Sequence, residues 1–224
     1  MLTQHINIKQ LDVSSQKISS NNDNMLVEKP HIIQFEDREW VMNALPQHSE
    51  YMIQGLLYTE LNISSELHIK SDNDRYFVAR KKSELIITPS PLENLHLQHN
   101  MIIQWVRMFR SSQTIYHQTG ATQSIGMLCH DLSILTIECI TMYSSACKIL
   151  GAALKKHHDY YPVLLLSHRI IAAHVPLLLN LRPQVVICQS AITATALQQL
   201  IEHGITVFGF CRKNKYNRYS YFHI

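Results

Sequence analysis

Three short, almost wholly apolar segments near the carboxyl end restrict this chain most: Tyr161–His168 (YPVLLLSH), Gln184–Ser190 (QVVICQS) and Ile205–Phe210 (ITVFGF). Each has the length of a strand and too little polar alternation to face water on one side, so each belongs in a sheet covered on both faces. Between them lie two segments of helical length, Arg169–Asn180, which reads as helix despite Pro176, and Ala191–Glu202, which stops at His203-Gly204. Strands alternating with helices at these lengths imply parallel pairing through right-handed crossovers. The fold class expected is therefore α/β.

Upstream, the pattern changes. Residues 1–24 are rich in Ser, Asn, Gln and Lys and read as a disordered polar arm, with order beginning near Met25. Residues 25–99 read as a smaller α+β portion. HIIQF and REWVMNAL are two strands about Glu36-Asp37-Arg38. A helix follows Pro46 with Ser49 as its cap and Met52, Ile53, Leu56 and Leu57 as its apolar stripe. ELHIK and RYFVA form a hairpin about Ser71–Asp74, and the two prolines of LIITPSPLEN make that stretch a loop. Residues 100–224 then form the α/β core. It opens with a helix, Asn100–Phe109, whose apolar face is Met101, Ile102, Trp105, Val106 and Phe109. A Thr-Gly turn, a hairpin (SIGMLCH, LSILTIECI) and a helix from Ser144 to Lys155 follow.

Composition excludes several classes. The 224 residues carry a net charge of only +3, which does not mark a nucleic-acid binder. The five cysteines are odd in number and never spaced C-x-x-C, so neither a disulfide framework nor zinc is expected, and a reducing cytoplasmic setting is the simplest. No leader pattern opens the chain, and no apolar run approaches the ~20 residues of a membrane span. The pairing of H-x-E with P-C-x-x-C that marks a zinc deaminase is missing too, since the chain has no P-C-x-x-C. His157-His158 reads as a solvated helix end.

The chemistry-bearing text is at the carboxyl end. Open α/β sheets bind ligands outside the carboxyl ends of their strands, where helix N-termini attract anions. Two turns there are Ser167-His168-Arg169 and Gln189-Ser190-Ala191; each also suits ordinary helix capping. The third strand runs into Gly209–Tyr219, with four cations and three aromatic rings in eleven residues. Arg and Lys pair with phosphate and aromatic rings stack on bases. Phe210, Cys211, Arg212, Lys213, Asn214 and Lys215 are the candidate ligand residues. RNA is a rival partner for the same side chains, though no RNA-binding motif accompanies them and nucleic acid is not the partner expected.

These strings, in order, resemble the FdhD family, the formate dehydrogenase accessory sulfurtransferases. The resemblance rests on Ser167–His174 (SHRIIAAH), Cys188–Leu197 (CQSAITATAL) and His203–Tyr219, with weaker matches upstream at Glu28-Lys29-Pro30, Leu45-Pro46, Gln54–Glu60, Thr119–Gln123 and Ile137–Leu154. It spans about residues 26–221. It implies a cytidine-deaminase-like three-layer core with a mixed sheet. It also implies sulfur transfer from a cysteine desulfurase to a molybdenum cofactor destined for formate dehydrogenase, with the bis(molybdopterin guanine dinucleotide) form held by Phe210–Lys215. A homodimer is consistent with it.

The departures are specific. Where the family has a C-G-x-C loop, this chain has Ile87 and Ser90 at the two cysteine positions. Neither side chain can form a persulfide. The family's His in the Thr-Gly-Gly turn is Gln123 here, its Arg-His-Asn is Met142-Tyr143-Ser144, and its Ser-Gly-Arg turn carries His168 for Gly. The expectation is an accessory protein that binds the cofactor with its cysteine-based sulfur transfer impaired. The alternatives are an active sulfurtransferase with a relocated thiol and a nucleotide- or RNA-binding module without catalysis. For the relocated thiol, Cys211, Cys129 and Cys139 are the candidates, Cys211 because Arg212 and Lys213 flank it.

Overall fold

A computed structural model describes residues 2–12, 14–92, 97–155 and 160–222. The His157-His158 pair and the end of the LIITPSPLEN loop lie outside them.

The chain begins with a hairpin, β1 (Thr3–Asp12) and β2 (Lys17–Leu26), paired antiparallel over ten positions. This corrects the expectation of a disordered arm. Ladder hydrogen bonds need no apolar side chain, and local chemistry closes the turn. Asp12 Oδ1 accepts from the Ser14 and Ser15 amides and from the Ser14 hydroxyl, and Gln16 takes a left-handed φ of 51°. At its base the Val27 amide donates to the Leu2 carbonyl, and Leu2 and Leu26 pack onto buried residues of the next unit.

That unit is a four-stranded sheet with a helix. β3 (Lys29–Phe35) and β4 (Arg38–Ala44) precede α1 (Ser49–Leu61), and β5 (Ser65–Asp72) and β6 (Arg75–Glu84) follow, in the order β4-β3-β6-β5. Ser49 does not cap α1. His48 stands at the cap with φ 59°, and the Ser49 hydroxyl donates back to the Pro46 carbonyl. The loop after β6 drives Leu85 and Ile87 into the central core.

The rest is a six-stranded mixed sheet. α2 (His99–Ser111) and α3 (Thr114–Thr119) lead into β7 (Gln123–Cys129), β8 (Ile134–Cys139) and α4 (Met142–Lys155). β9 (Tyr160–Leu166), α5 (Val175–Leu179), β10 (Val185–Cys188), α6 (Ala194–Glu202), β11 (Thr206–Arg212) and β12 (Lys215–Ser220) complete it, in the order β12-β11-β10-β9-β7-β8. β9, β10 and β11 are parallel, as their apolar runs predict; β7, β8 and β12 are antiparallel to their neighbours. Alternate residues of the central strands point to opposite faces. Leu164, Leu166, Val186 and Val207 pack with α4, α5 and α6, while Val163, Leu165, Val185, Ile187 and Phe208 pack with Ile102, Trp105, Val106 and Phe109 of α2. The core is thus three layers deep.

The predicted helix over 169–180 is much shorter. Ile170 leaves the helix to form a parallel bridge with Ile192, Ala172–His174 is a single 3₁₀ turn, and only Val175–Leu179 is α-helical, with Pro176 in the first turn where its missing N–H costs nothing. α4 begins at Met142, before the predicted Ser144, because the Thr141 hydroxyl oxygen accepts from the Ser144 amide.

The two sheets meet through α1 and α4. A Cβ on Gly55 would stand 1.9 Å from the Cys147 carbonyl oxygen, and one on Gly151 would stand 1.9 Å from that of Tyr51. Only glycine allows the helix backbones to come this close. Beside this contact Lys148 is fully buried. Its Nζ donates to the Leu45 carbonyl at 2.7 Å and approaches Cys139 Sγ at 3.4 Å. Among the described residues no helix is long and apolar enough to cross a membrane.

Candidate functional site

The three parallel strands end on one edge, and the chain stitches those ends together. The Ser167 amide and hydroxyl both bond Ser124 of β7. The Ile170 amide donates to the Ala191 carbonyl, and the Thr193 amide returns the bond to Ile170. The Phe210 amide donates to Ser190, and Arg212 Nε donates to the Gln189 carbonyl at 2.8 Å. The Cys188 thiol donates to the His168 carbonyl at 3.1 Å. Both predicted turns and the basic segment therefore form one rim.

The basic segment is a hairpin. The β11–β12 register slips between Gly209 and Arg212, a bulge that re-aims side chains. Phe210 and Lys213 take left-handed φ values of 50° and 54°. Each costs a non-glycine residue about 1–2 kcal/mol, and strain of this kind concentrates at ligand clamps.

Behind the rim is a cavity of about 610 Å3. Arg212 and Lys213 line it from the hairpin, Ser167, His168 and Gln189 from the turns, and Val106, Arg107, Arg110, Gln113 and Tyr116 from the α2–α3 side. It thus gathers four permanent cations, and no carboxylate is among its described lining residues. Within the wall, both ring nitrogens of His168 and the Nε2 amide of Gln189 are buried without a hydrogen-bond partner. Buried polar atoms are nearly always paired, so three such nitrogens on one cavity favour a missing polar ligand. Burial, reinforced by His174, lowers the His168 pKa to about 4 and keeps the ring neutral at neutral pH.

Of the six sequence-predicted residues, Arg212, Lys213 and Cys211 line the cavity, and Asn214 joins it through its Oδ1, which accepts from Arg107 Nη2 at 2.7 Å. Phe210 and Lys215 are exposed and are not among its lining residues. Arg107 and Arg110 escaped the sequence reading, although their three-residue spacing puts them on one polar face of α2. Glu138 also escaped it. Its carboxylate accepts from the Ile115 and Tyr116 amides and the Thr122 hydroxyl, holding α3 and Thr122 against the cavity.

The cysteines do not supply an exposed thiolate here. Cys211 is fully buried, and burial, with Cys188 nearby, pushes its pKa up to about 12. This corrects the expectation that Arg212 and Lys213 lower it: Arg212 and Lys213 are exposed, and dehydration of the sulfur outweighs them. Cys139 is buried as well, and Cys129 is half-buried. Ile87 is 2 % exposed within the core. Ser90 lies at the other end of β9, where its amide donates to the Tyr160 carbonyl at 3.0 Å and its hydroxyl bonds His130 Nε2 at 2.6 Å. Six strand steps of ~3.3 Å put it roughly 20 Å from the cation-lined edge.

Comparison with known proteins agrees with this architecture. The sulfur carrier protein FdhD of Wolinella succinogenes is 27% identical over 114 residues, an alignment covering 50% of this chain and 40% of that protein. A crystal structure of a candidate formate dehydrogenase accessory protein from Desulfotalea psychrophila superposes with a TM-score of 0.81 at 17% identity, over 97% of this chain and 96% of that one. The FdhD/NarQ family profile matches residues 72–223, which include the loop with Ile87 and Ser90, both turns and the whole basic hairpin. With more than half of its length matched, the chain belongs to the FdhD/NarQ family.

Proposed function

We propose that this protein binds the guanine dinucleotide form of the molybdenum cofactor and serves as an accessory protein in maturing a formate dehydrogenase-type molybdoenzyme, without sulfur transfer at positions 87 and 90. The observation that carries the reading is the cation-lined cavity at the carboxyl ends of β9, β10 and β11. Its residues fit such a ligand. Arg107, Arg110, Arg212 and Lys213 suit its phosphates, and the unpartnered nitrogens of His168 and Gln189 suit a polar ring edge. The bound cofactor supplies the redox chemistry of the enzyme that finally houses it; the chain's own residues hold it and limit its contact with water. The relatives' names, sulfur carrier and formate dehydrogenase accessory protein, support the pathway. We read the three-layer core as cytidine-deaminase-like on the same resemblance, and the five unpaired cysteines suit the cytoplasm.

A relocated sulfur acceptor is the second reading. Cys129 is the one cysteine that is not fully buried, so it is the thiol a cysteine desulfurase would reach. RNA binding is disfavoured because Arg212 and Lys213 line a cavity instead of lying on a flat face.

The test is co-purification. Protein isolated from cells that make molybdopterin guanine dinucleotide is denatured and oxidised, and the released pterin fluorescence is measured. Near-stoichiometric pterin, lost with Arg212→Ala, is expected; no pterin above a control protein would reject the reading.

A further inference from the structure

Lys148 is a buried nucleophile that the cofactor reading does not use. Its side chain is 0 % exposed, and no described ion pair includes it. A buried ammonium ordinarily has a carboxylate for a partner. Here the neighbouring side chain is a thiol. Lys148 Nζ stands 3.4 Å from Cys139 Sγ, and Cys139 is itself 0 % exposed.

One residue holds the two groups together. Leu45, in the connection between β4 and α1, donates its amide to Cys139 Sγ at 3.4 Å and accepts Lys148 Nζ on its carbonyl at 2.7 Å. The sulfur thus accepts two N–H bonds, and its lone pairs face the amine. Burial lowers the Lys148 pKa, against an opposing pull from Cys139, and so raises the share of neutral amine. A neutral amine has a lone pair free for a new bond; an ammonium has none. Cys147 is the rival partner for this sulfur, but burial pushes its pKa up and makes it a poor nucleophile.

We infer that Cys139 and Lys148 are an oxidisable pair, which dioxygen joins through one bridging oxygen (Sγ–O–Nζ) into a reversible crosslink that stiffens the joint between the two sheets. The thiol gives up its hydrogen and the neutral amine gives up one of its two. The O–O bond breaks, one oxygen atom forms the S–O and O–N bonds, and the other leaves as water with the two hydrogens. Sulfur and nitrogen together lose four electrons and dioxygen gains four. Two equivalents of a dithiol reverse the step, returning thiol, amine and a second water. Dioxygen is small and uncharged, so burial that keeps out larger thiol reagents does not keep it out. The bridge ties the end of β8 to the middle of α4, directly against Leu45 of the other unit. It is independent of the cation-lined cavity and of what that cavity binds.

The test uses the unaltered chain, purified without oxygen in dithiothreitol, freed of it and held in oxygen-saturated buffer. Intact mass and peptide mapping without reductant follow. The expected product is a chain about 14 Da heavier, with the Cys139 and Lys148 peptides linked, and dithiothreitol returns it to the starting mass. Cys139→Ser is expected to give no linked peptide. The linked form is expected to melt about 2–6 °C higher than the reduced form, because a crosslink constrains the unfolded chain. A gain of about 16 or 32 Da on Cys139 without a linked peptide, a Cys139–Cys147 disulfide, or an unchanged mass overturns the pair. A linked form that melts no higher overturns the stiffening.

Discussion

Arg212 donates from Nε to the carbonyl oxygen of Gln189 at 2.8 Å. One hydrogen bond thus ties the end of the third parallel strand to the turn after the second and fixes a guanidinium at the mouth of the cavity. Arg212→Lys keeps the charge and loses the planar fork. The expected outcome is GDP binding weakened about three- to tenfold, with a smaller loss than Arg212→Ala, read by calorimetry.

Thiol reactivity should follow burial. Four of the five cysteines are buried, and only Cys129 is partly exposed. Titration with Ellman's reagent is expected to find at most one reactive thiol in the native chain and five in denaturant. Fast labelling of Cys211 would contradict the burial that pushes its pKa up to about 12. Incubation with a cysteine desulfurase and mass spectrometry should likewise find no persulfide on Cys211 or Cys139.

Much of this was legible in the sequence. The apolar runs of β9, β10 and β11 specify a parallel sheet covered on both faces, and a sheet of that kind specifies the edge where Arg212 and Lys213 gather. The partners from α2 were not legible. Arg107 and Asn214 are separated by 107 positions, and only the tertiary fold brings them together. Two local readings failed because tertiary contacts overrode propensity. Ile170 bridges Ile192 where a helix was expected, and the polar 1–24 segment pairs with itself through its backbone. The family resemblance located the missing cysteines, but only the fold shows Ile87 as a core side chain and Ser90 at the far end of β9.

Acid should destabilise the fold through its buried histidines. Burial lowers the pKa of His168 from 6.5 to about 4, and it lowers those of His31 and the half-buried His174 in the same direction. Unfolded histidines bind protons below about pH 6.5 when the folded ones do not. The stabilisation held above pH 6.5 is therefore lost progressively as pH falls toward 4. Thermal melts across this range should show a falling Tm, and His168→Phe should flatten part of the slope.

The α1–α4 contact allows no added carbon. Gly55→Ala and Gly151→Ala each force a Cβ to within 1.9 Å of a carbonyl oxygen, so the helices must separate. Overpacking typically costs about 1–3 kcal/mol, and a backbone clash more. Either variant is expected to lose at least about 3 kcal/mol in urea unfolding or to be insoluble.

Lys148 is expected to matter for stability and not for binding. Lys148→Met keeps most of the buried stem but leaves the Leu45 carbonyl without its 2.7 Å donor. A buried acceptor left unpaired costs about 1–3 kcal/mol. Urea unfolding should show that loss while GDP affinity stays within twofold.

The central claim is that the cavity behind Arg212 holds a guanine-nucleotide ligand, and titration calorimetry with GDP tests it most directly. Binding to the unaltered chain below millimolar Kd, weakened at least tenfold in Arg212→Ala and weakened further when Arg107→Ala is added, is the predicted result. No heat of binding at millimolar GDP, or equal affinity in the unaltered and Arg212→Ala chains, would contradict it.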